Sequence, residues 1–467
     1  MFSTRIKKLF GNSVIFAFGN LGTKMLMFIM VPFYTRYLNT SDFGTVDLIM
    51  NTVTMLTPLL SLSVFDAVFR FTLDSSIDNT SLFTNGIVVT CAGSIITMFF
   101  SLVVQYITGY SYCLFLGLLL IFNLLMSFIL NFVRGIGRVK LFTIIGILFA
   151  VMNAILNIIF LKYLDKGISG YFEASIISSV VVITGTFFFG GLLRYGCIKQ
   201  ISLKVIKEML TYSIPLMPNA FAWWFTTDAS RYFILFFVGT EGNGLYAVAN
   251  KVPALLTLFF SVFSQAWQIS AVEEFNSPEN SKFYNTVFNA LVKFSFIGVG
   301  LLILFVKSII KVLAAPSFYD AWKITPFLLL AVLFSNLSSF LGTTYIAAKR
   351  TSLIMYTTFV GMILNAFFNI IFIPLFGTNG AGIGSTMGFL IVFLVRLKST
   401  SKIIQIRPKF VSEIFSLFII LVMIVSQQYF VGALEWILSS TLFIVLLVAN
   451  IKEPLLIFTK RLSKNKS

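Results

Sequence analysis

Apolar runs of about twenty residues recur from one end of this 467-residue chain to the other, and a run of that length crosses a hydrocarbon core about 30 Å thick when coiled into a helix. This one feature leaves very few folds open. Backbone groups facing lipid have no water to bond, so a spanning segment either closes its own hydrogen bonds as a helix or shares them around a closed barrel. Barrel strands alternate apolar and polar positions, whereas Ile414 to Ile424 is apolar on nearly every side. The reading is an all-α polytopic membrane protein with about fourteen transmembrane helices. Hydrophobic residues make up 58% of the chain and charged ones only 11%, so the solvent is lipid.

The net charge of +17 does not point to nucleic acid, because the basic residues sit between apolar runs and do not form one domain. With the N-terminus cytoplasmic, the clusters Arg134, Arg138, Lys140; Arg194, Lys199, Lys204, Lys207; Lys349, Arg350; and Arg396, Lys398, Lys402, Arg407, Lys409 all fall inside, as the positive-inside rule expects. Both termini are then cytoplasmic. Arg5, Lys7 and Lys8 precede an apolar run that continues to Pro32 without a small-residue cleavage site, which reads as a retained first helix. There is no histidine, and Cys91, Cys113 and Cys197 lack metal or redox spacing. No cofactor or metal is expected, and proton coupling would fall to carboxylates.

An internal repeat gives the organisation. Asn153-Ala154-Ile155-Leu156-Asn157-Ile158-Ile159-Phe160 returns as Asn365-Ala366-Phe367-Phe368-Asn369-Ile370-Ile371-Phe372, six of eight positions agreeing. At the same offset Arg138 meets Arg350, and Ser169-Gly170 corresponds to Asn379-Gly380 slightly further on. Thr40 and Gly44 find a counterpart in Thr240 and Gly244. The halves are parallel repeats, the usual construction of a transporter. The expected division is an N-terminal lobe with its connecting loop at 1–208, a C-terminal lobe at 209–400, and two further helices with a basic tail at 401–467. Expected spans include Gly11 to Phe33, Phe43 to Val64, Ile214 to Phe237 and Gly244 to Gln265.

Charges within spans cost roughly 2.5 to 3.5 kcal/mol each unless they find water or a partner. These are Lys24, Asp47, Asp228, Arg231, Lys251 and Lys293. Lys24 lies mid-helix with Asn20 one turn before it, where snorkelling is hardest. Asp47, Asn51, Thr54 and Pro58 share one helical face. Asp228 and Arg231 are three apart and can pair, as can Asp66 and Arg70 one turn apart. Asn250 and Lys251 sit close to Pro253, which would kink their helix. The substrate-binding candidates are Lys24, Arg231, Lys251, Asn20, Asn51, Asp47, Asp228 and Asn250, lining a hydrated cavity whose excess of cations attracts an anionic group such as phosphate.

Tyr34-Thr35-Arg36-Tyr37-Leu38 followed by Asp42-Phe43-Gly44-Thr45-Val46-Asp47 resembles the opening signature of the polysaccharide-biosynthesis flippases of O-antigen and capsule repeat units. Pro215, Arg231-Tyr232-Phe233-Ile234, Gly239 and Gly244-Leu245-Tyr246-Ala247-Val248-Ala249 are similar to their second-half opening, and Tyr319-Asp320-Ala321-Trp322 before Pro326 also fits. One departure is Ser230 before Arg231 with the acid at Asp228, where the family often has Asp next to the Arg. The resemblance implies the fold of the multidrug, oligosaccharidyl-lipid and polysaccharide exporter superfamily, two pseudo-symmetric six-helix lobes plus two C-terminal helices. It implies alternating access that carries undecaprenyl-diphosphate oligosaccharide across the bacterial inner membrane, with polysaccharide polymerase and chain-length proteins as partners. It implies no catalysis. Export of drugs or organic cations is the alternative within the superfamily, but such cargo would favour buried carboxylates. A membrane polymerase would be expected to show a long external loop or an acidic metal-binding pair, and neither is present in the sequence.

Overall fold

The computed structural model describes residues 22–74 and 77–451. The described residues are helical throughout and contain no strand. Twelve helices among them are long and apolar enough to cross a bilayer. The expected first span lies partly outside the described residues, from 11 to 21, and the expected seventh is broken in two, so neither adds to that number. By internal contact the chain divides into two compact units, Met1–Trp224 and Phe225–Ser467.

The first unit runs α1 Val31–Tyr37, α2 Thr40–Leu60, α3 Val64–Asp74, α4 Asn79–Thr108, α5 Tyr112–Gly135, α6 Val139–Asn157, a π turn Ile158–Tyr163, α7 Gly167–Phe189 and α8 Leu203–Ser213. Polar caps set the helix starts. Asn39 accepts the Asp42 N–H at 2.8 Å before α2, and Asp78 accepts the Thr80 N–H at 3.0 Å before α4. The expected second span stops early, at Leu60, because the chain turns through left-handed Leu62 and Ser63 and re-enters a helix at Val64. Helix α5 is the central one, touching α2, α3, α4, α6 and α7. Its Phe132 ring lies 4.8 Å from Phe83 of α4, and a Cβ at Gly86 would meet the Phe128 ring at 2.6 Å. Lipid tails are as apolar as leucine, so close packing of this kind, more than the hydrophobic effect, drives helix association here.

Helix α9 Met217–Asp228 spans the division at Trp224, and the second unit goes on with α10 Ser230–Phe237, α11 Thr240–Ala249, α12 Lys251–Glu273, α13 Asn280–Leu304, α14 Val306–Leu313, α15 Ala321–Ala347, α16 Thr351–Phe376, α17 Thr378–Thr400, α18 Phe410–Tyr429 and α19 Ala433–Asn450. Here α15 is central, touching α11 to α14, α16 and α17. Trp267 stacks on its Phe340 at 4.3 Å and donates its indole N–H to Thr343 at 2.6 Å. Helices α18 and α19 lie against α13, where a Cβ at Gly300 would meet Leu446 at 2.4 Å. A partly buried polar set adds to that contact: Lys307 pairs with Glu435 at 2.8 Å, donates to the Gln427 carbonyl at 2.9 Å and lies 4.3 Å from the Trp322 ring centroid.

The repeat read from the sequence has a structural counterpart in each unit. Asn157 donates its amide to the Asn153 carbonyl at 2.8 Å, and Asn369 donates to the Asn365 carbonyl at 2.7 Å. A Cβ at Gly170 would meet the Phe160 side chain at 3.1 Å, and one at Gly380 would meet the Phe372 backbone at 2.0 Å. The turns entering α6 and α16 also agree bond for bond. The Arg138 N–H reaches the Val133 carbonyl at 3.1 Å and the Arg350 N–H the Tyr345 carbonyl at 2.8 Å, the long bond of a Schellman turn. Both turns need a left-handed residue, which is Gly137 in one and Lys349 in the other.

The expected eighth span is interrupted between Ala249 and Lys251. Pro253 has no N–H to give the Ala249 carbonyl one turn before it. The buried Thr325 hydroxyl stands 3.4 Å from that oxygen, and 2.9 Å from the Ala321 carbonyl of its own helix. The carbonyl that Pro253 leaves without its helical donor thus has a hydroxyl of a neighbouring helix beside it, shared with the Ala321 carbonyl.

Two outcomes follow. A side chain in the left-handed region costs about 1 to 2 kcal/mol, so Lys349→Gly should raise the thermal midpoint of the purified protein, and Gly137→Lys should lower it. Thr325→Val should cost about 1 kcal/mol in the natural chain and clearly less in a Pro253→Ala background, where residue 253 serves Ala249 itself. Equal losses in both backgrounds would show that Thr325 acts elsewhere.

Candidate functional site

Four of the sequence candidates collect at the two helix breaks of the second unit. The expected seventh span stops at Asp228 and restarts at Ser230, and Arg231 reaches back across the break to Asp228 at 2.7 Å. The Arg231 side chain is 7% exposed and that of Asp228 is 30% exposed. Thr227 donates to the other Asp228 oxygen at 2.7 Å, and the guanidinium carbon lies 5.4 Å from the centroid of the buried Tyr246 ring on α11. Gly239, at φ +102°, makes the tight turn that brings α11 back alongside α10. Ser230 meets Ser385 of α17 at 3.2 Å, holding the restart of the helix to its neighbour. Asn250 and Lys251 are half-buried at the second break, Asn250 closing α11 and Lys251 opening α12.

In the first unit the candidates are more dispersed. Lys24 is exposed within the helical stretch 22–29. Asn20 lies outside the described residues. Asp47 and Asn51 are half-buried on α2, and Asn51 turns its amide back onto the Asp47 carbonyl at 2.7 Å. Thr54 is exposed on the same helix and bonds the Asn51 carbonyl at 2.8 Å. Tyr171 of α7 meets the Tyr34 ring of α1 edge-on at 5.2 Å. This tyrosine pair joins residues more than a hundred positions apart, so helical spacing could not have found it.

One expected pair is replaced by another. Arg70 bonds Asp74 at 2.7 Å, one turn onward, and not Asp66. Asp66 is half-buried, and burial pushes its carboxyl above the usual carboxylate range. Lys293 is half-buried within α13.

The structure also adds a cation that the sequence had placed among cytoplasmic charges. Arg396, 3% exposed, is buried in α17 and donates to the Thr357 hydroxyl at 3.0 Å and the Ser338 carbonyl at 3.0 Å. Among the described residues its hydrogen-bond acceptors are neutral, Thr358 at 3.5 Å being the third. Gly342 leaves room for the guanidinium, since a Cβ there would stand 3.1 Å from it. Its neighbour in sequence, Lys398, disguised it as part of a solvated cluster.

Chemically, this set can bind and orient charge within helical bundles, and it contains fixed cations whose partners are a half-buried carboxylate or neutral oxygens. Among the described residues no group of three His, Cys, Asp or Glu is placed to hold a metal ion. The geometry offers ligand contacts and helix breaks that can act as hinges.

Solved structures share this fold. An inward-facing multidrug resistance MATE family transporter of the MOP superfamily matches with a TM-score of 0.69 at 14% identity, over 83% of this chain and 98% of the other. The lipid II flippase MurJ, in its inward closed conformation, matches with a TM-score of 0.65 at 16% identity, over 96% and 99%. A MATE transporter of Vibrio cholerae, VcmN, matches with a TM-score of 0.59 at 14% identity, over 86% and 97%. At these identities the likeness is one of fold. No curated protein matches the chain significantly. Residues 9–268, more than half of the chain, match the polysaccharide biosynthesis protein family. The chain is therefore a polytopic helical membrane protein with the fold of the MOP superfamily, and it belongs to the polysaccharide biosynthesis protein family.

Proposed function

We propose that the protein is a flippase that carries undecaprenyl-diphosphate-linked oligosaccharide repeat units from the cytoplasmic to the outer leaflet of the bacterial inner membrane by alternating access, without catalysing a reaction. The lobes are 1–208 and 209–400, the helices of 401–467 are an addition, and both termini are cytoplasmic. The product supplies O-antigen or capsule, handed on to polymerase and chain-length proteins.

The observation that best supports this reading is the placement of Arg231 and Lys251 at interruptions of membrane helices, in a chain of the polysaccharide biosynthesis family that shares its fold with a lipid II flippase. Each cation costs roughly 2.5 to 3.5 kcal/mol at the bilayer centre unless water or an anion compensates it. A diphosphate can bridge two such cations in addition to the partners they already have, Asp228 in the case of Arg231, and its polyprenyl tail never has to leave the bilayer. Lysine serves as a point charge that can release the group, where arginine binds in a planar fork. The likeness to a multidrug MATE transporter supports a second reading, export of organic cations, which asks for buried carboxylates facing the cargo; Asp47 and Asp228 are the candidates.

The test is complementation in a strain that builds the cognate lipid-linked unit but lacks this protein. The natural chain should restore surface glycan. Lys24→Ala with Lys251→Ala should reach the membrane at normal level yet leave single units on the cytoplasmic face. Full glycan display by that double variant would refute the binding assignment. Loss of drug tolerance, with glycan unchanged, would transfer the function to the second reading.

A further inference from the structure

A groove of about 400 Å³ in the first unit lies between α1 and the π turn that ends α6. Ile29, Phe33, Tyr37 and Ile158 form its apolar wall, and among the described residues Arg36 and Lys162 supply the charges that line it. Both cations are exposed, and neither has a carboxylate partner among the described residues. Nearby Lys166, by contrast, is paired with Glu173. The Phe33 and Tyr37 rings stand 4.7 Å apart and stiffen one side of the groove, while Ile29, 65% exposed, opens it to the surroundings of the bundle. The π turn adds a residue to the last turn of the span, a local feature that recurs at functional sites.

Position narrows the occupant. The helix from Val139 to Tyr163 is 25 residues long, so Lys162 lies roughly 35 Å along it from the Arg138 and Lys140 end, which the proposed topology puts on the opposite side of the membrane. Two unneutralised cations at that level, beside an apolar wall open to lipid, match a phosphate head group with an acyl chain below it. The volume suits a glycerophosphate and the first part of a chain, and is at the small end of ligand pockets. We infer that this groove is a binding site for an anionic phospholipid, with the phosphate shared by Arg36 and Lys162 and the chain lying along Phe33 and Ile158. It is independent of the transported cargo; the topology proposed above decides only which leaflet supplies the lipid.

Native mass spectrometry of the full chain in detergent, with phosphatidylglycerol and phosphatidylcholine as probes, tests this. Each basic residue near an anionic lipid surface is worth about fivefold in affinity, so Arg36→Gln with Lys162→Gln should weaken phosphatidylglycerol binding roughly 25-fold and leave phosphatidylcholine binding unchanged. Lys162→Gln alone, expected at about fivefold, carries the test if the double variant fails to purify. Equal phosphatidylglycerol retention by natural and variant chains would overturn the proposal. So would equally tight phosphatidylcholine binding by the natural chain, or displacement of the lipid by millimolar inorganic phosphate, which would mark a free-ion site.

Discussion

The structure depends on one constraint: a backbone at bilayer depth must find hydrogen-bond partners within the protein. Long uninterrupted helices meet it within one segment. Every interruption has to be served from elsewhere, and the chain does so at identifiable places. The Thr325 hydroxyl stands by the Ala249 carbonyl abandoned by Pro253, and Ser230 is held by Ser385 where the seventh span restarts. Breaks of this kind are tolerated only where protein or water surrounds them, which is why polar and charged residues gather there. Asp228, Arg231, Asn250 and Lys251 are positioned by the same irregularities that the backbone must accommodate.

Duplication explains much of the remaining architecture. The central helices α5 and α15 end in the same Schellman turn, and the helices that follow carry the same asparagine pair and the same close approach of a glycine to a phenylalanine. What differs between the halves is local. A glycine supplies the left-handed residue in one turn and a lysine in the other, so the second half keeps the geometry with a less suitable residue. Because lipid offers no hydrophobic drive for helix association, these contacts of glycine, asparagine and aromatic rings set each bundle.

Charge placement shows where linear reading fails. The pair Asp228 and Arg231 was legible because both residues lie within one turn. Arg70 had two acids within reach, Asp66 and Asp74, and only the folded helix selects Asp74. Arg396 stands two residues from Lys398 in a basic stretch, yet it points into α15 and α16, where hydroxyls and a carbonyl receive it. Glu435 finds Lys307 from a helix far along the chain. Partners brought together by packing leave no periodic trace.

By itself, the amino-acid sequence determined that this protein is helical and membrane-spanning, that its halves are related, and that its family is one of polysaccharide biosynthesis, because hydropathy, span length and repeated motifs are properties of short contiguous stretches. Only the tertiary structure decided that the seventh span is broken at Ala229, that Thr325 meets the carbonyl freed by Pro253, that Arg396 is buried among neutral acceptors, and that Arg36 and Lys162 face one groove. The physical reason is range. Backbone satisfaction and lipid exposure act residue by residue along the chain, whereas hydrogen bonds and ion pairs between helices depend on rotation and depth, which are settled by packing.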